Sequence, residues 1–251
     1  MSPPSFTIVA HGRTDVGMKR RLNEDFFIID DDLGLYLVAD GMGGHAAGDV
    51  ASRLAGEEIL DSLRDARDAG DRRPARDLLT AAVVAGQRRL VEAVRREPEL
   101  KGMGTTVVAA LHPPGSGKLV IAHVGDSRAY RFRNGDLEPL TEDHSWVHEQ
   151  VTAGFLSEEA ARRHPLKNVV TRALGENGEP RVDTRELELE AGDRYLLCSD
   201  GLNTMLEDRE IAAVLRRTGD PEAACRELIV AANRRGGNDN ITVVLLDVTA
   251  A

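Results

Sequence analysis

The order in which strand-like and helix-like runs follow one another constrains this chain most. Apolar, β-prone runs come in hairpin succession: Phe6–Ala10, then Phe26–Asp30 and Leu35–Ala39 around Asp31-Asp32-Leu33-Gly34. Helical periodicity comes in pairs. The first pair is Ala46–Leu63 and Pro74–Arg96, the latter with Leu78, Leu79, Ala82, Val83, Leu90 and Val94 at helical spacing. The spacing then predicts strands over Thr105–Leu111, Leu119–Val124, Ala129–Arg133 and Asp136–Leu140, the last two joined by the tight-turn pair Asn134-Gly135. Further strands fit Val182–Leu189, Arg194–Cys198 and Ile241–Val248. A second helix pair, Asp208–Arg217 and Pro221–Arg234, precedes the last strand, and Asp220-Pro221 supplies a cap residue followed by proline at the first helical position. Strands and helices do not alternate one for one, so a doubly wound parallel sheet is disfavoured and an α+β layered domain is expected. The charged stretch Ala66–Arg76 is too short to divide domains, and residues 1–251 read as one domain.

Charge and composition narrow the function. The 42 acidic residues outnumber the 32 basic ones, giving a net charge of −10, and phosphate backbones demand Lys and Arg, so no nucleic-acid partner is expected. Aromatic residues are only 4% of the chain, which argues against a base-stacking surface. No apolar run approaches the roughly 20 residues needed to span a bilayer, and Met1–Ala10 lacks a secretory pattern. Cys198 and Cys225 form no CxxC pair and read as free buried thiols in a reducing compartment, so a cytoplasmic protein is expected; a monomer is the separate expectation.

The informative residues are aspartates at strand ends. Counting back from an Asp32-Leu33 tip places Asp25 opposite Asp40, with Cβ atoms roughly 5 Å apart. A bulge would shift that register by one. Like charges so placed destabilise the sheet unless a divalent cation, a shared proton or open solvent neutralises them. Asp200 follows one apolar strand and Asp239 precedes another; if those strands are antiparallel neighbours, both carboxylates reach the same sheet end. Asp126 sits in the turn Gly125-Asp126-Ser127-Arg128. Any one of these Asp-Gly pairs is ordinary turn chemistry. Together they form an oxygen-donor set suited to hard cations such as Mg²⁺ or Mn²⁺.

The ordered motifs Gly17-x-x-Arg20-x-x-Asn23-Glu24-Asp25, Val38-Ala39-Asp40-Gly41-Met42-Gly43-Gly44-His45 and Gly104-Thr105-Thr106 carry a resemblance. They continue with Gly125-Asp126-Ser127-Arg128, Leu140-Thr141-x-Asp143-His144-Ser145, Asn168-x-x-Thr171-Arg172-Ala173-Leu174-Gly175, Ser199-Asp200-Gly201-Leu202 and Gly237-Asn238-Asp239-Asn240-Ile241-Thr242. From about residue 6 to 248 the chain resembles the bacterial metal-dependent serine/threonine protein phosphatases of type 2C, the PPM family. The resemblance implies a four-layer αββα sandwich of two mainly antiparallel sheets flanked by helix pairs. It implies two Mn²⁺ or Mg²⁺ ions, bridged by Asp40, with Asp200 and Asp239 on the first, the Gly41 carbonyl on the second, and Glu24 and Asp25 acting largely through water. A third metal, as in bacterial relatives, would use Asp126 with Asp200. A water or hydroxide bridging the ions would attack the phosphorus of phosphoserine or phosphothreonine in line, while Arg20 holds the phosphate oxygens. Animal relatives carry a histidine where Met42 stands, so His45 is the candidate general acid. Residues 145–177 would form a flap beside the site. Phosphorylated proteins, a cognate Ser/Thr kinase among them, are the implied partners.

Other residues read more plainly. His144 and His148 lack a third zinc ligand; Asp143 is expected to cap a helix and Arg128 to pair with a carboxylate near its turn. Gly43-Gly44 has no Gly-Lys-Ser/Thr after it and is no P-loop.

Overall fold

The computed structural model describes residues 6–43, 47–176 and 178–250. Eleven strands and seven α-helices follow in the order β1 (Phe6–Asp15), β2 (Asp25–Asp30), β3 (Leu35–Met42), α1 (Ala47–Asp68), α2 (Ala75–Arg96), β4 (Gly104–Thr105), β5 (Val107–Leu111), β6 (Lys118–Val124), β7 (Arg128–Arg133) and β8 (Asp136–Pro139). They continue with α3 (Trp146–Thr152), α4 (Glu158–Arg163), β9 (Asp183–Glu188), β10 (Arg194–Cys198), α5 (Asp200–Asn203), α6 (Asp208–Arg217), α7 (Pro221–Arg234) and β11 (Ile241–Ala250). One sheet runs β1-β11-β10-β7-β8 and the other β2-β3-β5-β6-β9, with β4 beside β3; the pairings are antiparallel.

Side-chain alternation explains the layering. On β3, Leu35, Leu37 and Ala39 pack with α1 and α2, while Tyr36 and Val38 point the other way. On β10 and β11, Cys198, Val243 and Leu245 pack with α6 and α7, while Leu197, Val244 and Leu246 meet Tyr36 and Val38 between the sheets. These central strands are buried on both faces, so they read in sequence as unbroken apolar runs. Each fully buried Leu or Val contributes about 1.5–3 kcal/mol. On α1, Ala51, Ala55, Ile59 and Leu63 recur every four residues to form one buried stripe. The result is the expected αββα sandwich.

Several boundaries differ from expectation. β1 extends to Asp15 because it is an edge strand whose polar second half, Gly12 to Asp15, still pairs rung for rung with β11. The β2–β3 loop spans four residues rather than two, yet is symmetric about the same tip, so Asp25 still faces Asp40. The expected strand Thr105–Leu111 divides at Thr106, whose backbone N–H donates to Asp40 O at 2.9 Å and whose Oγ1 accepts from Asp40 N at 3.2 Å. Helix α1 runs past Leu63 to Asp68, since its final polar turn is solvated until Gly70 turns the chain at φ +67°. Asp143 caps no helix: Ser145 caps α3, and both carboxylate oxygens of Asp143 accept from Arg128 at 2.7 and 2.6 Å. The pairing expected of Arg128 thus stands, with Asp143 as its partner. Among the described residues no helix is long and apolar enough to cross a membrane.

Candidate metal centre

The inward faces of the two sheets continue past the apolar core to one end of the sandwich, and there they become polar. Asp25 lies two residues before Phe27, and Asp40 two after Val38, so both point between the sheets. Asp200 opens α5 just beyond β10, Asp239 stands just before β11, and Cys198 pairs with Val243, which brings both to that end. Asp126 occupies the turn from β6 to β7, beside Cys198's other partner, Arg128. Four of the aspartates, Asp25, Asp200, Asp126 and Asp239, lie close enough to Asp40 to act on its charge.

Such a cluster is electrostatically unfavourable by itself. Burial first, then its anionic neighbours Asp200 and Asp239, push Asp25 up to about 7. Burial and Asp239 push Asp200 up to about 6. Asp40 and Asp126 rise well above the usual carboxylate range for the same two reasons. Two buried oxygens, Asp25 Oδ1 and Asp200 Oδ1, have no hydrogen-bond partner. Buried carboxylate oxygens are almost always paired. Two left bare among five neighbouring acids fit a hard divalent cation.

The surrounding backbone is equally constrained. A Cβ on Gly41 would lie 2.0 Å from Gly48 O and 2.6 Å from Glu24 O, so only glycine lets the end of β3 pass between α1 and the Glu24 loop. Gly41 N–H donates to Glu24 O at 3.1 Å. Arg20, about half-exposed, donates from Nη2 to Asp239 Oδ2 at 2.7 Å and lies 3.9 Å from Glu24. His45 lies outside the described residues.

This geometry can be set beside known proteins. The protein phosphatase 2C family model matches residues 19–233. The chain belongs to the protein phosphatase 2C family. Its 2C-type relatives include the serine/threonine phosphatase stp of Listeria welshimeri, 40% identical over 241 residues and covering 95% of each chain. They also include the serine/threonine protein phosphatase PstP of Mycobacterium tuberculosis, 43% identical over 94% of this chain but only 44% of PstP's length. Among solved structures, the catalytic domain of PstP in complex with two manganese ions superposes with a TM-score of 0.83 at 38% identity, covering 98% of this chain and 100% of the other. Stp1 from Staphylococcus aureus superposes at 0.87 with 33% identity, covering 96% and 95%. The 2C-type chain is accordingly a metal-dependent protein serine/threonine phosphatase, of a family that uses Mn²⁺ or Mg²⁺.

Several further residues tie the 2C-type carboxylate cluster together, and of these the sequence singles out only Thr106, as a strand-start hydrogen bonder. Ser199 and Thr242 both donate to Asp25 Oδ2, at 2.8 and 2.6 Å. Asn240 accepts from Glu24 N at 2.8 Å and donates to Val16 O and Leu22 O at 3.0 and 2.9 Å, closing the Arg20 loop onto β11. Thr106 and Ser127 share a hydrogen bond of 2.7 Å beneath Asp40. The available signal was strand parity: Ser199 continues the inward series of Leu197, and Thr242 that of Val244.

A second cluster lies apart from the carboxylates. His123, His144 and Asp183 bring one ligand atom each within 4.8 Å of one another. His144 pairs here rather than with His148. The cluster is closed by hydrogen bonds. Gly125 N–H donates to His144 Nδ1 at 3.1 Å, which puts the ring proton on Nε2, 3.0 Å from Asp183 Oδ2. His123 Nε2 meets Glu142 O at 2.9 Å, and Arg172 Nη1 stands 3.3 Å from Asp183 Oδ2, where a cation would have to go. Burial, then His123, lowers His144 to about 4 and keeps it neutral. A ring nitrogen locked as a proton donor is not a metal ligand, so this cluster braces the Gly125 turn instead.

Proposed function

We propose that the chain hydrolyses phosphoserine and phosphothreonine esters of proteins at the Asp40 cluster. In this reading Asp40 serves two Mn²⁺ or Mg²⁺ ions. Asp200 and Asp239 hold one of them, and the Gly41 carbonyl, with Glu24 and Asp25, holds the other. Asp126 and Asp200 offer a third place. Bound there, the ions supply positive charge for the phosphoryl group and a water acidic enough to be a nucleophile near neutral pH. The two bare buried oxygens, Asp25 Oδ1 and Asp200 Oδ1, carry this reading.

Arg20 is the phosphate-gripping residue. Its guanidinium offers a planar fork of donors at the rim of the cluster, aimed there by Asp239 and Glu24. A cation taking up Asp239 would free that fork for substrate oxygens. His45, three residues after Met42 in sequence, protonates the leaving alkoxide. The segment 145–177, with α3 and α4, is the flap of a single phosphatase domain. Its support is the bridge from Leu174 to Thr105, whose Oγ1 donates to Asp40 O at 2.9 Å. The chain works as a cytoplasmic monomer opposite a Ser/Thr kinase.

The test is Asp40→Ala. Hydrolysis of p-nitrophenyl phosphate with Mn²⁺ should fall by about 100-fold or more; retention of most activity removes Asp40 from the centre. Phosphothreonine peptides should be cleaved in preference to nucleotides, and the reverse order would make the enzyme a small-ester hydrolase.

A further inference from the structure

Asp25 receives two hydrogen-bond relays on one oxygen and none on the other. Asn23 Nδ2 donates to Thr14 Oγ1 at 2.8 Å; Thr14 Oγ1 lies 2.7 Å from Thr242 Oγ1; Thr242 Oγ1 donates to Asp25 Oδ2 at 2.6 Å. In the second relay Thr242 N–H donates to Ser199 Oγ at 3.0 Å, and Ser199 Oγ donates to Asp25 Oδ2 at 2.8 Å. The direction of both is forced. A backbone N–H has only a proton to give. The Asn23 amide is oriented because its Oδ1 already accepts from Asp25 N at 3.2 Å. Each hydroxyl owns one proton, so every proton along both lines points toward Asp25 Oδ2. Asp25 Oδ1 remains buried and bare.

We infer that Thr14, Asn23, Thr242 and Ser199 are positioning residues that reserve Asp25 Oδ2 for the protein and leave Oδ1 as its single face toward a divalent cation. This rests on Asp25 serving the metal centre. Both relays run through Thr242 on β11 and end on β2 of the other sheet, the first arriving from Asn23 in the β1–β2 loop by way of Thr14 on β1, so the same bonds fix the carboxylate and pin the sheets together at the metal end. A carboxylate held by one oxygen offers one ligand atom, or one acceptor for a metal-held water, in a fixed direction. Freed, it would turn to present both oxygens, or swing away from its anionic neighbours.

The experiment measures Mn²⁺ binding by equilibrium dialysis, with free Mn²⁺ read by its paramagnetic resonance, and the gain in melting temperature on adding Mn²⁺. Thr242→Val removes the hydroxyl at nearly constant shape and should weaken Mn²⁺ binding by about 10-fold or more, in the range known for outer residues of metal sites. Thr242→Ser should return it to within about 2-fold. Should Thr242→Val not fold, Thr14→Val, which breaks the relay one bond farther out, should still weaken binding by about 2- to 3-fold. Asp25→Asn is the companion variant. If Asp25→Asn loses Mn²⁺ while Thr242→Val and Thr14→Val bind as the parent does, the relays position nothing and the inference falls. If Asp25→Asn itself binds Mn²⁺ unchanged, Asp25 does not serve the metal, and the reading beneath the inference falls with it.

Discussion

Single side chains decide whether this centre exists, and their tolerance is calculable. Gly41→Ala would force a methyl to within 2.0 Å of Gly48 O. Because the neighbouring atoms are backbone, α1 would have to move, and both the melting temperature and Mn²⁺ affinity should drop. Arg20→Ala should raise KM for a phosphopeptide by about 10-fold, and Arg20→Lys should not restore it, since a point charge lacks the guanidinium's paired donors. His144 carries a pH signature. Its folded pKa is depressed to about 4, from 6.5 in the unfolded chain, so the unfolded state binds the extra proton between these values. Its contribution is present above pH 6.5 and is lost as pH falls toward 4, by at most about 3 kcal/mol. Urea unfolding at stepped pH should show that loss in the parent and a flatter limb in His144→Asn, whose amide oxygen can still accept from Gly125. At this scale sequence was a good guide where a residue's partner lay in register arithmetic, as for Asp25 and Asp40. It failed for Asp143, whose place before a helix imitates a cap. The Arg128 that claims it is fifteen residues away across a turn, where no local pattern reaches.

Elements were most legible where their ends carried chemical punctuation. Helices α6 and α7 begin and end where the sequence predicts, α7 because Asp220 accepts from Ala223 N at 2.8 Å and Pro221 fills the first helical position. Edge and junction strands were least legible. The polar half of β1 carries no alternation, and the break between β4 and β5 falls where Thr106 Oγ1, in place of its carbonyl, accepts from Asp40 N. The junction of β10, β11 and α6 depends on buried Arg194. It grips Asp247 at 2.7 and 3.1 Å and donates to the helix-end carbonyls of Leu215 and Thr218 at 2.8 and 2.6 Å. Breaking one side of a buried pair typically costs about 3–5 kcal/mol. Arg194→Met should therefore lower unfolding free energy by about 3 kcal/mol, read as a lower urea midpoint with the same slope.

The whole molecule answers to its ions. Five acids at one end of the sandwich repel one another until cations or protons neutralise them, so metal and protons compete. With Asp25 raised to about 7 and Asp200 to about 6, the ion-free fold loses support as pH climbs through that range. Added Mn²⁺ should then raise the melting temperature more at about pH 7.5 than at about pH 5.5, and a chelator should cancel the difference. An equal gain at both values would count against carboxylates as the binding groups. Strand β11 pairs with β1 on one side and β10 on the other, which bears on synthesis. Residues 25–188 supply every strand of one sheet, so that half can assemble while the ribosome is still working. The other half keeps a gap between β1 and β10 until residues 241–250 emerge. Asp239 and Thr242 arrive with that last insertion, so under the proposed function a chain still short of residue 241 would lack part of its metal site.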